Sequence, residues 1–188
     1  MINVESYRTI QQELKSYNAE LIAVSKTKPV EAINAFYKLG QRHFGENRVQ
    51  ELSQKMVVLP KDIKWHMIGT LQRKKVKQIA PFIHLIHSVD TLQLLEEINK
   101  QAKKHNRIID CLLQFHIAKE STKQGMQYVE ACALLDNWNQ YDLNHVRIVG
   151  VMGMATFTND MNQVKTEFDQ LKVYFDQLKS KYLSLIHI

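Results

Sequence analysis

The chain has 188 residues, 45% of them hydrophobic, a formal net charge of +6 and two cysteines. That apolar content excludes a disordered chain and is enough for one domain, residues 1–188, with a sizeable core. Two cysteines without metal or redox spacing exclude a disulfide scaffold, and no apolar run approaches the roughly 20 residues of a transmembrane helix.

The N-terminus, Met1 to Arg8, has no basic cap followed by an apolar run, so neither a signal peptide nor a membrane partner is expected, and a cytoplasmic location is. Lysines and arginines are mostly scattered among Glu and Asp. The one dense cluster, Arg73-Lys74-Lys75-Val76-Lys77, suits a solvated helix face about as well as phosphate binding, and without interleaved aromatics nucleic acid is not an expected partner.

In chain order, Val4, Tyr7, Ile10, Leu14 and Tyr17 fall at helical spacing and predict an amphipathic first helix. Leu21 to Val24 reads as a short buried strand ending at Ser25-Lys26. Pro29 opens a helix with Ala32, Ile33, Phe36 and Leu39 on one side and Gly40 as its stop. His43 to Asn47 is a second strand running into a helix through Val49 to Leu52. Ile63 to Gly69 is the third strand, followed by a helix over Leu71 to Ala80 that Pro81 closes.

Phe82 to Val89 predicts the fourth strand. Asp90 and Gln93 stand in a capping-box relation before a helix that turns Leu92, Leu95, Ile98 and Ala102 inward. The fifth strand, Ile108 to Ile117, precedes a polar loop (Ala118 to Gly125) and a helix from Tyr128 to Trp138. Val146 to Met152 is the sixth strand, and Val164, Phe168, Leu171, Phe175, Leu178 and Tyr182 trace one face of the last helix.

Six strand–helix units in alternation predict an α/β fold with a parallel sheet. Two architectures fit: an open doubly wound sheet or a (β/α)8 barrel. No Gly-x-Gly-x-x-Gly follows the first strand, which removes the dinucleotide-binding signature. Eight units at this spacing would need about 220 residues, so the chain accommodates about six units of a barrel.

Lys26 stands out because chemistry in α/β proteins sits at the C-terminal ends of strands. Apolar walls would disfavour its ammonium form. Lys28, on the same face if the strand stays extended, would do so further, which suits an amine that attacks a carbonyl. The same residues also suit a strand that merely ends at the surface.

Several segments together resemble one family. Ala23-Val24-Ser25-Lys26 is similar to the cofactor-lysine strand of the pyridoxal phosphate homeostasis proteins, relatives of the alanine racemase barrel domain. Phe44 to Glu51, Trp65 to Gln72, His87 to Asp90 and Gly150 to Met154 resemble that family's second, third, fourth and sixth strand signatures, in the right order. The resemblance implies a TIM-barrel-type fold and a pyridoxal 5'-phosphate (PLP) imine on Lys26. It also implies Asn47 near the cofactor ring and His66, Ser88 and Met152 at comparable strand ends. Pocket lining and packing at the barrel mouth compete for His66 and Ser88, while Met152 leans to the core. His116 and His145 read as structural.

The resemblance implies intracellular PLP homeostasis without substrate turnover, with apo-enzymes that use PLP as candidate partners and a monomer at full length. The competing class is a PLP-dependent amino-acid racemase. In the related racemases a tyrosine from a further C-terminal domain supplies the second base, and Tyr128, Tyr141, Tyr174 and Tyr182 lack that context. Two departures stand out. Lys74 replaces the family's usual Asn. The end, Lys181 to Ile188, replaces the seventh and eighth strands that would bring phosphate contacts and an arginine. A C-terminally incomplete chain ending in unrelated sequence, poor solubility and loose cofactor binding are therefore expected.

Overall fold

The computed structural model describes residues 3–182. Six strands form one all-parallel sheet in strict sequence order. They are β1 (Ala23–Val24), β2 (His43–Glu46), β3 (Lys64–Met67), β4 (Leu85–Val89), β5 (Ile109–Phe115) and β6 (Val146–Gly153). The helices are α1 (Val4–Ser16), α2 (Val30–Lys38), α3 (Val49–Val58), α4 (Val76–Ile79), α5 (Leu92–Lys104), α6 (Tyr128–Asp136) and α7 (Met161–Lys181). Helix crossovers between adjacent parallel strands are the barrel-type unit; five of them join the six described strands, and α7 after β6 completes the sixth strand–helix unit. The expected α/β, six-unit architecture holds, and the described ends of the helix following β6 are those of α7. The expectation about the last residues, Leu183 to Ile188, lies outside the described residues.

The register explains where the core sits. Glu46, Met67, Ile86, Cys111 and Ile148 are paired in one row across β2 to β6, and each is at most 1% exposed. Paired residues share a face of a sheet, and this face receives α3, α4 and α5, whose Leu52, Val76, Leu95 and Ile98 are fully buried. The opposite row runs Val24, Gly45, His66, Leu85, Asp110 and Arg147 through all six strands. Its edges are open: Val24 is 52% exposed, and Arg147 reaches Asp110 with two hydrogen bonds of 2.7 and 2.8 Å.

Several expected details shift. The first strand is only two residues long, and its Val24 is exposed because, among the described residues, no further strand lies beside the sheet edge at β1. The basic run does not form one helix: Arg73–Lys75 is a 3-10 turn before the single α-turn of α4, with no side chain capping either segment and Pro81 following closely. Val76, in the middle of the cluster, is fully buried, so the run wraps a core residue rather than presenting a flat basic surface.

Thr91, not Asp90, caps α5, its hydroxyl accepting from the Leu94 N–H. The capping box lies instead at Gln127–Glu130, at the start of α6. α6 stops at Asp136, with Trp138–Gln140 continuing as a 3-10 turn. On α1, Tyr7 is buried, with its hydroxyl donating to Gln41, while Ile10 and Tyr17 are exposed. On α7, Leu178 and Tyr182 are buried as expected, but Phe168 is exposed. The buried neighbour there is Glu167, whose carboxylate accepts from the N–H and hydroxyl of Thr156. A polar anchor takes the inward position, which an apolar-spacing rule cannot see.

Candidate functional site

All six strands run the same way, so their C-terminal ends line one edge of the sheet. The first end carries Lys26. The chain does not stay extended there: Ser25 to Lys28 is a turn closed by the Lys28 N–H donating to the Ser25 carbonyl at 3.0 Å, with Thr27 at φ 62°. The extended alignment of Lys26 with Lys28 is therefore corrected. So is the apolar enclosure, because Lys26 is exposed to solvent. What fixes Lys26 is its backbone, not a desolvating pocket.

That backbone rests on a buried ion cluster. The Lys55 ammonium, reaching in from α3, donates to the Ser25 carbonyl at 2.8 Å, to Glu46 Oε1 at 2.7 Å and to Glu51 Oε1 at 2.6 Å. The Ser25 hydroxyl donates to the same Glu46 oxygen at 2.6 Å, and the Thr27 N–H donates to Glu51 Oε1 at 2.6 Å. The residues on both sides of Lys26 are thus tied to α3. Glu46 is fully buried and Lys55 nearly so, while the Lys55 ammonium holds the Glu51 carboxyl below its ordinary range. A buried charge is tolerated only when paired and hydrogen-bonded; the pair meets both conditions through Glu46 Oε1, while Glu46 Oε2 is buried without a partner.

The second strand end brings Asn47. Its Oδ1 is buried without a hydrogen-bond partner, an unsatisfied acceptor at the sheet edge. Gly69 packs against it from β3: a Cβ there would come within 2.5 Å of the Asn47 carbonyl oxygen, so only glycine allows the two strand ends to approach this closely. Beside Asn47 lies a cleft of about 540 Å³ lined by Arg48, Gln50, Gln54, Gln72 and Lys75.

The remaining expected site residues are placed differently. The Ser88 hydroxyl donates to the Gly69 carbonyl at 2.7 Å and so ties the ends of β3 and β4 together. Met152, on β6, pairs with Gln114 of β5, at the opposite end of the sheet order from β1. Five strand intervals of the curved sheet lie between it and the strand that carries Lys26. His66 is in register with Gly45, below the strand ends, and both its ring nitrogens are engaged. Nε2 faces His43 Nδ1 at 2.9 Å, and Nδ1 faces His87 Nε2 at 2.9 Å. His116 and His145 each bond a backbone carbonyl, consistent with their structural reading. Lys26 and Asn47 therefore lie at the ends of neighbouring strands, Ser88 braces the next interval, and Met152 lies on the last strand of the sheet order.

Sequence reasoning missed Glu46, Glu51 and Lys55. A signal was there: Lys55 follows Val49 and Leu52 on the buried side of α3, and a lysine in that place needs an acid. The cysteines carry no comparable role. Cys111 is buried on the helix-facing row, its thiol pushed well above the usual range by desolvation, and Cys132 lies in α6; both are free. Among the described residues no helix is long and apolar enough to cross a membrane.

Residues 4–188 match the family described as alanine racemase, N-terminal domain. The chain belongs to that family. Within it, the chain is 33% identical over 167 residues to the pyridoxal phosphate homeostasis protein of Helicobacter pylori, covering 88% of this chain and 74% of that relative. The namesake protein of Aquifex aeolicus is 36% identical over 151 residues, and the human one 33% over 161. This chain spans 65% and 58% of the lengths of those two relatives. These relatives are named as homeostasis proteins rather than as enzymes.

Among solved structures, PipY of Synechococcus elongatus PCC7942 without PLP superposes with a TM-score of 0.85 at 33% identity, covering 93% of this chain and 83% of PipY. The same protein with PLP bound gives 0.79 at 32% identity, covering 93% and 82%. An alanine racemase of Clostridium difficile 630 gives 0.65 at 16% identity and shares the fold.

Proposed function

We propose that the chain binds PLP through Lys26 and serves cofactor homeostasis without turning over a substrate. The observation that carries this reading is the lysine at the end of β1, on a turn that a buried ion cluster holds in place from both sides. When bound, PLP would supply an aldehyde that a primary amine can capture reversibly. Lys26 would be that amine: it is solvent-accessible and already positioned by Ser25 and Thr27. Asn47, with a buried acceptor lacking a partner, would orient a donor of the cofactor. Ser88 holds the neighbouring strand ends through the Gly69 carbonyl, while His66 acts from below the edge and Met152 from the last strand of the sheet order. Apo-enzymes that need PLP are the proposed acceptors.

The placement of the tyrosines supports a carrier over a racemase, which needs a second base across the cofactor from the lysine. Tyr128 stacks on Tyr174 with ring centroids 4.7 Å apart, between α6 and α7. The Tyr182 hydroxyl donates to Asp136 at 2.7 Å. These rings are spent on helix packing.

The test is to incubate the chain with PLP, reduce with borohydride and map the modified lysine by mass spectrometry. Label concentrated on Lys26 and lost in Lys26→Ala is expected; label spread evenly over the lysines would overturn the assignment. Alanine racemisation assayed alongside should stay at background, and turnover abolished by Lys26→Ala would replace the carrier reading with the enzymatic one.

A further inference from the structure

The opposite end of the sheet holds a cluster of histidines of which the cofactor reading uses only His66. His43 begins β2, His66 lies in β3, and His84 immediately precedes β4. One ring nitrogen from each lies within 4.8 Å of the other two. The outer nitrogens are already assigned by their partners. His43 Nε2 meets the Glu20 carboxylate at 2.8 Å, and His66 Nδ1 meets His87 Nε2 at 2.9 Å. That leaves His43 Nδ1 and His66 Nε2 facing each other at 2.9 Å, with the His84 ring edge-on to both, its centroid 5.5 and 5.3 Å from theirs.

We propose that His43, His66 and His84 form a binding site for a divalent transition-metal ion of the zinc, cobalt or nickel class.

The argument rests on proton bookkeeping around the rings. A neutral imidazole has one N–H and one lone pair. If His43 donates to Glu20 and His66 donates to His87, the two inner nitrogens both present lone pairs to the same gap. Without an ion that arrangement is repulsive, and the chain must adopt the alternative in which every ring donates towards Glu20. With an ion in the gap, the first arrangement becomes the favoured one. Metal-bound imidazoles characteristically donate their outer N–H to a carboxylate or another acceptor, and here Glu20 and His87 stand ready for that role. Zinc–nitrogen bonds of about 2.0–2.1 Å put tetrahedral ligand atoms about 3.4 Å apart. The His43–His66 pair opens slightly to reach that spacing, and the half-buried His84 closes in.

The donor set selects the ion class. Three imidazoles suit borderline divalent metals and not calcium or magnesium, which take oxygen ligands. Metal binding needs the rings neutral. An ordinary imidazole, with a pKa of about 6.5, is already mostly neutral at pH 7, and the buried setting of His43 and His66 favours that form. Lys64, in register with His43, adds positive field beside the cluster, against which Glu20 and Asp110 act. Bound there, the ion would clamp β2, β3 and β4 together at the end of the sheet opposite Lys26, and the proposal stands independently of PLP.

The experiment is a titration of the purified, chelator-treated full chain with Co2+, read by its visible d–d absorption and by calorimetry, followed by displacement with Zn2+. One ion per chain in a low-coordinate nitrogen environment is expected. His84→Ala should weaken binding by tenfold or more, and Glu20→Gln, acting only through His43, by about 10- to 100-fold. Both positions are solvent-accessible, so circular dichroism should report an unchanged fold. The exposed His105 serves as the control, and His105→Ala should bind as the parent does. Absence of saturable Co2+ binding by the parent chain would overturn the proposal. So would binding that His84→Ala and Glu20→Gln leave unchanged.

Discussion

Replacing Lys55 by methionine removes the ammonium that holds the β1 turn while keeping the length of the side chain. In the parent, that group donates to the Ser25 carbonyl, Glu46 and Glu51 within 2.8 Å. Its loss leaves Glu46, fully buried, with one hydroxyl donor on Oε1 and none on Oε2. Breaking a buried pair from one side costs about 3–5 kcal/mol. The variant has an escape, which is to let the orphaned carboxylate take up a proton. At pH 7 neutralising an ordinary carboxyl costs about 3.7 kcal/mol, at pH 5 only about 1 kcal/mol. The destabilisation of Lys55→Met should therefore be about 3–4 kcal/mol at pH 7 and smaller by about 2 kcal/mol or more at pH 5. Urea denaturation of parent and variant at the two pH values measures it. A loss below about 1 kcal/mol at pH 7, or one that does not shrink at pH 5, would refute the account of the cluster as a desolvated ion pair. Glu46→Gln combined with Lys55→Met should recover part of the loss, because no charge is then stranded.

Other outcomes follow from single contacts. Gly69→Ala drives a methyl to 2.5 Å from the Asn47 carbonyl oxygen, so it should cost about 1–3 kcal/mol in thermal or urea unfolding and also weaken PLP-dependent labelling of Lys26. Unchanged stability there would mean that the strand ends are not packed as described. Asp90, half-buried, has its carboxyl raised by desolvation, so the folded chain holds that proton more readily than the unfolded one. Its contribution to stability is lost as pH rises through the raised value. Asp90→Asn should thus stabilise by a few tenths to about 1 kcal/mol at pH 7 after solvent screening, and by nothing measurable below the ordinary aspartate value of about 3.9. A less stable variant at pH 7 would reverse that sign.

The strand sequence was readable from apolar runs because each strand here is short and buried on its helix-facing side, with Gly or Pro marking several ends. Lys26 was found because it interrupts such a run where strands give way to loops. The ion cluster was harder, since Glu46, Glu51 and Lys55 meet only once α3 folds back on β1 and β2. The histidines were harder still. His43, His66 and His84 lie about 20 residues apart, and only the register of three parallel strands turns that spacing into contact. Periodicity failed at Phe168 and Glu167 for a different reason: the inward site on α7 is polar because the backbone N–H of Thr156 needs an acceptor there.

Strand neighbours in this sheet are also neighbours in the chain, from the first to the sixth. A nascent polypeptide emerging from a ribosome can therefore add each β–α hairpin to an edge already laid down, without waiting for a distant segment to arrive. Loop closure stays cheap at every step, and assembly is a succession of local dockings rather than one long-range search.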